Sequence, residues 1–346
     1  MINKSNDRNI SESGGIYLRV ELSGAIIYVG VYFLIISSGI VGNSLVLISF
    51  IRFKEVRKVN NYYIFGLAIA DFFTCLISVP VAICNRLIIS DLTCHAGTRP
   101  LFFLPAYTLS SVSIFLLFAI TIDRYIAISR PLRYSHIMTR KKTKRIVLGV
   151  WLFGMSFGTL PGLNFGSDPY QWVCELDMYE SGVITSYTIA TAMAFSVGLA
   201  FIFSMYGRIV YIAYVQKTTV TNTRSSVSKR SRDQMRMRTT ITCVLISAIF
   251  GICWLPQSFK NIFETYLARD IKSLLAIQTM CEMLAYSNSS INPILYGWRN
   301  IHFRRAYMKI LRSWFGNDKK TTNMTSQETE TKSIGLSAIS LKVSSD

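Results

Sequence analysis

A carboxylate set in a long apolar run is the first side chain whose chemistry stands out. Asp71 closes Leu67-Ala68-Ile69-Ala70-Asp71 and is the one charged residue between positions 59 and 85. An ionisable group in such a run is costly to bury and marks a functional site by default. Polar side chains stand at comparable depth in other apolar runs: Asn43, Ser113, Asn288, Ser289 and Asn292. Groups of this kind can hydrogen-bond one another between helices. A second constellation is Asp123-Arg124-Tyr125, an ion-pairing couple and an aromatic at the end of an apolar run. Two prolines complete the set, in Cys253-Trp254-Leu255-Pro256 and Asn292-Pro293-Ile294-Leu295-Tyr296. Each removes a helix hydrogen bond and kinks or hinges its helix.

The elements that hold these residues are legible from the charges. Uncharged runs cover 22–51, 100–122, 146–167, 181–207 and 239–259, while 59–85 and 273–298 each contain a single acid, Asp71 and Glu282. A helix that spans a bilayer needs about 20 mostly apolar residues, so seven spans are expected. With 51% hydrophobic and 16% charged residues, a soluble domain pair is excluded. The expected helices are 25–52, 60–88, 99–130, 144–164, 182–215, 234–263 and 272–297. The fold class is thus an all-α integral membrane bundle of seven transmembrane helices.

Orientation follows from Lys and Arg. Of the 37 basic residues, four lie between Arg52 and Lys58, eight from Arg124 to Arg145, eight from Arg208 to Arg238 and nine from Arg299 onward, leaving eight for the opposite face. That bias places the four basic segments in the cytoplasm. Residues 1–24 are then an extracellular N-terminus, 25–299 the membrane domain, and 316–346 a disordered cytoplasmic tail rich in Ser and Thr. Residues 1–24 lack a signal-peptide core, so the first span is expected to act as its own insertion signal. Asn3 and Asn9 lie in glycosylation sequons on the outer side. Between membrane domain and tail, 300–315 forms a short amphipathic helix on the inner leaflet. There Phe303, Tyr307, Ile310, Leu311 and Trp314 recur opposite Arg304, Arg305, Lys309 and Arg312. A net charge of +18 also raises nucleic-acid binding, but the basic residues cap apolar spans and form no domain of their own. No nucleic-acid partner is expected. Seven cysteines leave at least one unpaired. Cys94 and Cys174, in outer loops, are the best disulfide candidates, with Cys84 and Cys281 a second option near outer helix ends.

Taken together, Asp71, Asp123-Arg124-Tyr125, Cys253-Trp254-Leu255-Pro256 and Asn292-Pro293-Ile294-Leu295-Tyr296 occur in the right spans and order to resemble the rhodopsin-like (class A) G-protein-coupled receptors. The likeness covers about residues 25–312, with Gly42-Asn43, Trp151, Pro131-Leu132 and Tyr206 matching further signatures. It implies a cell-surface receptor, multi-pass in the plasma membrane, that binds an extracellular ligand and activates a heterotrimeric G protein by movement of the inner helix ends. It implies that Asp71, Ser113, Asn288 and Asn292 hold a sodium ion beneath Trp254; the alternative is that they only bond one another. It also implies that Arg124 pairs with Asp123 at rest and swings toward Tyr206 and Tyr296 on activation, and that the phosphorylated tail meets arrestin. Phosphorylation of Thr321, Thr322, Thr325, Ser326, Thr329, Thr331 and Ser333 would make that stretch densely anionic. For the basic inner segments the plainer reading is attraction to anionic membrane lipid.

Departures from the family pattern carry information. The usual proline of the fifth span is Gly198, which reduces the connector of Pro, Ile and Phe to Ile114 and Phe250. The low acid of the sixth helix is Arg236, so an ionic latch to Arg124 is absent and raised basal activity is expected. Ala106 occupies the position where amine receptors place an aspartate, which argues against a monoamine ligand. Tyr286 stands where opsins carry the retinal lysine, so no covalent cofactor is expected. Helix position suggests a ligand pocket of Tyr107, Ser110, Trp254, Gln257, Ser258, Asn261, Glu282 and Tyr286. In it Glu282 pairs with a cationic group of the ligand, faces water at a helix end, or pairs with Lys260 or Arg86. An enzyme is not indicated, because the three histidines fall in separate loops and no phosphate loop or triad is present. The alternatives are an atypical opsin-like receptor without covalent retinal and, behind it, a transporter.

Overall fold

The computed structural model describes residues 22–87, 99–159, 193, 196–212, 215, 227–259 and 271–314, and these are all helix, turn or short connection. The first span is α1, Leu22–Arg52, and the second is α2, Asn61–Phe73, continued by α3, Val79–Leu87. The third is α4, Arg99–Ser129; a one-turn α5, Tyr134–Ile137, leads to the fourth, α6, Arg140–Thr159. The fifth is α7, Ser196–Ile212. The sixth is α8, Val227–Ser258, the seventh α9, Ile271–Arg299, and the surface helix α10, Ile301–Trp314. The chain is therefore a seven-helix membrane bundle with an added surface helix.

Four stretches are long and apolar enough to cross a membrane by length and composition: Ile26–Arg52, Asn61–Cys84, Leu104–Ser129 and Thr240–Ser258. The shortfall in the others has causes in the residues. The first turns of α6 read Arg-Lys-Lys-Thr-Lys-Arg, and α9 carries Gln278, Glu282, Ser287, Asn288, Ser289, Ser290 and Asn292. Large apolar side chains such as Ile27, Phe33, Leu34, Leu148, Leu152 and Ile294 point outward, while Asn43, Asp71, Asp123, Arg124, Asn288 and Asn292 lie inside. This inverts the usual soluble pattern and is what a bilayer selects.

The second span is not the single helix expected over 60–88. Between α2 and α3 the chain makes a π-helical turn, Thr74–Ser78, in which the Val79 N–H bonds to the Thr74 carbonyl. Pro80 gives the reason: its ring clashes with the carbonyl four residues back and offers no N–H. The wider turn takes up that misfit immediately above Asp71, a placement typical of π-bulges beside functional residues.

Close helix contacts fix the bundle. On α6, Gly154 and Gly158 are four residues apart and lie on the α4 backbone; a Cβ at Gly154 would sit 2.8 Å from Val112 Cα, and one at Gly158 2.5 Å from Thr108 Cα. Small residues at this spacing let helix backbones approach in a membrane, where apolar side chains gain little by meeting. The main apolar cluster runs through the centre and inner half, including Leu67, Leu116, Ile202, Ile246, Phe250 and Tyr296. A separate outer cluster joins α1, α3 and α9 through Tyr28, Tyr32, Ile35 and Val79, with Tyr286 against it.

At the inner end, Asn300 stops α9 and starts α10. Its N–H bonds to Tyr296 O at 2.9 Å, and its side-chain oxygen accepts the His302 N–H at 3.0 Å, a helix cap of standard form. Phe303, Ala306 and Ile310 of α10 are buried, whereas Arg304, Arg305 and Lys309 face out.

Several expected boundaries shift. α6 begins at Arg140 rather than 144, and α8 begins at Val227 rather than 234. Both gain turns at their basic ends, because long basic side chains are good helix formers whether or not lipid surrounds them. Cys84 is exposed and Cys281 buried, and the two are not joined to each other, so the optional second disulfide between them is not made. Cys94, Cys174, Asn3, Asn9 and 316–346 lie outside the described residues.

Candidate functional site

The polar core starts from a proline. Pro293 has no N–H, so the Ser289 carbonyl one turn earlier loses its helix partner. The Asn43 amide of α1 supplies the replacement, donating to Ser289 O at 2.9 Å and to Gly39 O at 2.9 Å. α1 comes this close because Gly42 faces the proline, where a Cβ would lie 2.8 Å from Pro293 Cβ.

Asp71 meets the same segment from α2. Its carboxylate accepts Ser289 Oγ at 2.9 Å and Asn292 Nδ2 at 2.8 Å, and its exposure is 1%. No basic side chain answers it: among the described residues the one ion pair is that of Arg124 and Asp123. The amide oxygens of Asn43, Asn288 and Asn292 are buried without hydrogen-bond partners. An unpaired buried acceptor costs about 1–3 kcal/mol, so each of these oxygens is unfavourable as it stands. Ser113 is buried on α4 but makes no hydrogen bond to Asp71. Among the described residues no three His, Cys, Asp or Glu side chains converge as metal ligands. Oxygen donors of this type suit a hard monovalent cation rather than a transition metal.

At the inner rim Arg124 and Asp123 are both buried and form a direct ion pair through Arg124 Nη2 and Asp123 Oδ2, backed by Arg124 Nε at 3.1 Å. A third partner comes from α5. Tyr134 donates to Asp123 Oδ1 at 2.9 Å and Oδ2 at 3.2 Å, and its hydroxyl lies 3.4 Å from Arg124 Nη2. Burial and the facing Asp123 charge push the Tyr134 phenol above its usual range, which keeps it a donor. Tyr206 and Tyr296 do not touch Arg124. The Tyr206 hydroxyl accepts from Ser247 at 3.4 Å and Thr121 at 3.5 Å, and Tyr296 is buried with no hydrogen bond to its hydroxyl. Tyr125 packs beside the core. Arg124 is thus held on its own helix.

On α8, Trp254 stacks on Phe250 with ring centroids 5.8 Å apart. Pro256 lies within α8 just above them. The place of the missing fifth-span proline is filled from across the interface: a Cβ at Gly198 would lie 2.9 Å from Phe118 Cζ. The Phe118 ring therefore occupies space that a larger residue at position 198 would need.

The eight residues expected to line a ligand pocket are only partly gathered. Tyr107 is half exposed on α4, and Ser110, Gln257 and Ser258 are partly buried. Ser258 bonds back to Trp254 O at 3.0 Å, while the Gln257 carbonyl oxygen is buried without a partner. Glu282 and Tyr286 stand one turn apart on α9, with Tyr286 meeting Tyr32 of α1. Asn261 lies outside the described residues. The groove of about 370 Å³ along the α1–α9 seam, lined by Val31, Leu34, Met280, Leu284 and neighbours, opens sideways and includes none of the eight.

Three tyrosines escaped the sequence reading. Tyr134 sits among basic residues in a connection with no periodic signal. Tyr28 and Tyr32 lie in an apolar run where tyrosine passes for an ordinary membrane residue. Their i, i+4 spacing is the one available hint.

Comparison with known proteins agrees with this geometry. Residues 42–296 match the family model described as "7 transmembrane receptor (rhodopsin family)". The chain is 31% identical over 305 residues to adenosine receptor A2a of Canis lupus familiaris, covering 84% of this chain and 73% of the relative. It is 28% identical over 321 residues to octopamine receptor beta-1R of Drosophila melanogaster, covering 81% and 60%. Somatostatin receptor type 1 of Mus musculus is 25% identical over 324 residues, covering 90% and 78%.

Proposed function

The chain belongs to the rhodopsin family of seven-transmembrane receptors, and from that premise we propose how it signals: ligand binding on the outer side releases Arg124 from Asp123 and Tyr134 and frees the inner helix ends to engage a G protein. As a family member it is a multi-pass plasma-membrane receptor that binds an extracellular ligand and couples to a heterotrimeric G protein, not an enzyme. The observation that carries the mechanism is the buried Asp123–Arg124–Tyr134 cluster, which can hold the inner rim shut only while α4 and α5 keep their present relation. A ligand shifts such a balance by as much as its affinities for the two states differ.

The amino terminus is extracellular and the carboxyl terminus cytoplasmic on this reading, as the distribution of basic residues favours. A sodium ion belongs at Asp71, with Ser113, Asn288 and Asn292. The unpartnered amide oxygens of Asn288 and Asn292 beside a carboxylate without a basic partner support this. A bound cation supplies positive charge that ties α2, α4 and α9 into the resting arrangement. If so, NaCl raises the unfolding midpoint of purified receptor above that in equal KCl, and Asp71→Asn removes the difference. Equal midpoints in the two salts would dispose of the site.

The ligand enters near Tyr107, Ser110, Trp254, Gln257, Ser258, Asn261, Glu282 and Tyr286. The missing aspartate at Ala106 disfavours a monoamine, and the absence of a lysine at Tyr286 disfavours retinal. Arrestin binds the phosphorylated tail, and anionic lipid contacts Arg304, Arg305 and Lys309 on the outer face of α10. The deciding experiment is a ligand-panel screen against sensors for the different G-protein classes, with Arg124→Ala as control. A ligand-dependent response that Arg124→Ala abolishes is expected; substrate flux in vesicles with no nucleotide exchange would favour a transporter instead.

A further inference from the structure

The elbow between α9 and α10 holds a cavity of about 280 Å³ lined by Trp298, Arg299, Ile301 and Arg304. Asn300 ends one helix and starts the next, so Arg299 at the close of α9 and Arg304 in the first turn of α10 border the same space. The Arg299 guanidinium lies over the Trp298 ring, 5.4 Å from its centroid. A ring covers the flat face of a guanidinium and leaves the N–H donors, which lie in its plane, open to another partner. Arg299 Nε is buried and has no hydrogen-bond partner. Neither arginine has an acid beside it: among the described residues the one ion pair is that of Arg124 and Asp123. Two like charges bordering one cavity repel each other, and an anion between them removes that cost. Arginine forks fit phosphate oxygens especially well, with two parallel N–H bonds apiece.

The surroundings select the kind of phosphate. Ile294 and Trp298 stand one turn apart on α9 and are 65% and 66% exposed. An exposed isoleucine within a spanning helix faces lipid, and tryptophan one turn nearer the helix end is the residue type favoured at the membrane–water boundary. Ile301 is exposed beside them. A free anion or a phosphorylated peptide leaves this apolar rim uncovered. A phospholipid brings phosphate and hydrocarbon together.

We propose that Arg299 and Arg304 bind the phosphomonoester of an anionic phospholipid, whose acyl chains run over Ile301, Trp298 and Ile294. The site rests on the inner-leaflet placement of α10 and deepens it: diffuse attraction along α10 becomes one position of defined stoichiometry. A phosphomonoester carries nearly two negative charges at neutral pH and so matches two guanidiniums, whereas a phosphodiester carries one.

Native mass spectrometry of the full-length receptor in detergent, titrated with dioctanoyl phosphatidic acid, tests the site. Dioctanoyl phosphatidylglycerol, with the same tails and one charge, is the comparison. One copy of phosphatidic acid is expected to bind ahead of any others and ahead of phosphatidylglycerol. Arg299→Gln and Arg304→Gln each weaken that first event about tenfold, as loss of a charge-assisted hydrogen bond does. Arg312→Gln removes an equal charge from α10 outside the cavity and leaves the first event unchanged. If Arg299→Gln does not purify folded, the exposed Arg304 supplies the comparison. Equal binding of the two lipids, or equal weakening by Arg312→Gln, would overturn the site in favour of diffuse attraction. Displacement of the lipid by equimolar inorganic phosphate, or by a peptide of residues 320–334 phosphorylated on its Ser and Thr, would overturn it in favour of a free anion or the tail. The receptor reading stands or falls separately, on ligand-driven nucleotide exchange, which none of these outcomes decides.

Discussion

Replacing Tyr134 by phenylalanine isolates one bond at the inner rim. The ring and its packing stay, and only the hydroxyl that donates to Asp123 Oδ1 at 2.9 Å and Oδ2 at 3.2 Å is lost. Hydrogen bonds to charged partners contribute about 1.5–3 kcal/mol net. Arg124 remains on Asp123, so the loss falls toward the low end of that range. If the bond exists only in the closed arrangement, the closed state alone is weakened. At about 1.4 kcal/mol per tenfold, the ratio of open to closed receptor rises roughly tenfold. Because the open form is the minor one, basal nucleotide exchange rises in proportion. The assay is ligand-free guanine-nucleotide exchange by purified receptor on the G protein chosen by the screen, normalised to folded protein. Basal exchange within about twofold of wild type would refute the reasoning, because such a difference is only a few tenths of a kcal/mol. The effect should also vanish in an Arg124→Ala background, since coupled groups are not additive.

Gly158→Ala drives a methyl into the α4 backbone at Thr108 and is expected to cost about 1–3 kcal/mol. Gly149→Ala on the same helix meets nothing within 4 Å and is neutral or stabilising; unfolding midpoints of the two purified variants check the contrast. Gly198→Ala presses on Phe118, so it destabilises alone and is relieved by Phe118→Leu. A double-mutant cycle on midpoints should show favourable coupling of about 0.5–3 kcal/mol. His302 lies 2.7 Å from Lys58, and burial, with the Lys58 charge second, lowers its pKa below the usual 6.5. Its neutral form is the one the fold favours, so the contact of α10 with the first inner loop is intact above pH 6.5 and weakens as pH falls below it. Amide exchange in α10 should accelerate between pH 7.5 and 5.5 in wild type and not in His302→Gln.

Much of the architecture was legible because the bilayer imposes a strong rule on charge. Asp71, Asn292 and Pro293 could be picked out for the same reason: polar residues and prolines are expensive in a span. What the sequence withheld depends on neighbours far along the chain. That Asn43 repairs the carbonyl freed by Pro293 needs the α1–α9 approach at Gly42, a contact between positions 251 residues apart. Tyr134 gave no signal because a one-turn helix between basic residues has no periodicity. The π turn at Thr74–Ser78 followed from Pro80, yet a proline near a helix end usually reads as a simple kink. The inner ends of α6 and α8 were cut short because lack of charge marks where lipid ends, not where a helix does.

The central claim is that the outer and inner ends of this bundle are two faces of one equilibrium. Binding free energies are reciprocal, so a partner on the inner side must alter the outer side even when no ligand is present. Hydrogen exchange across the outer halves of α8 and α9, with the receptor in lipid nanodiscs before and after addition of nucleotide-free G protein, measures this directly. Changed protection near Trp254 and Glu282, absent in Arg124→Ala, is the result the mechanism predicts. A G protein that binds while both outer halves exchange as before would contradict it.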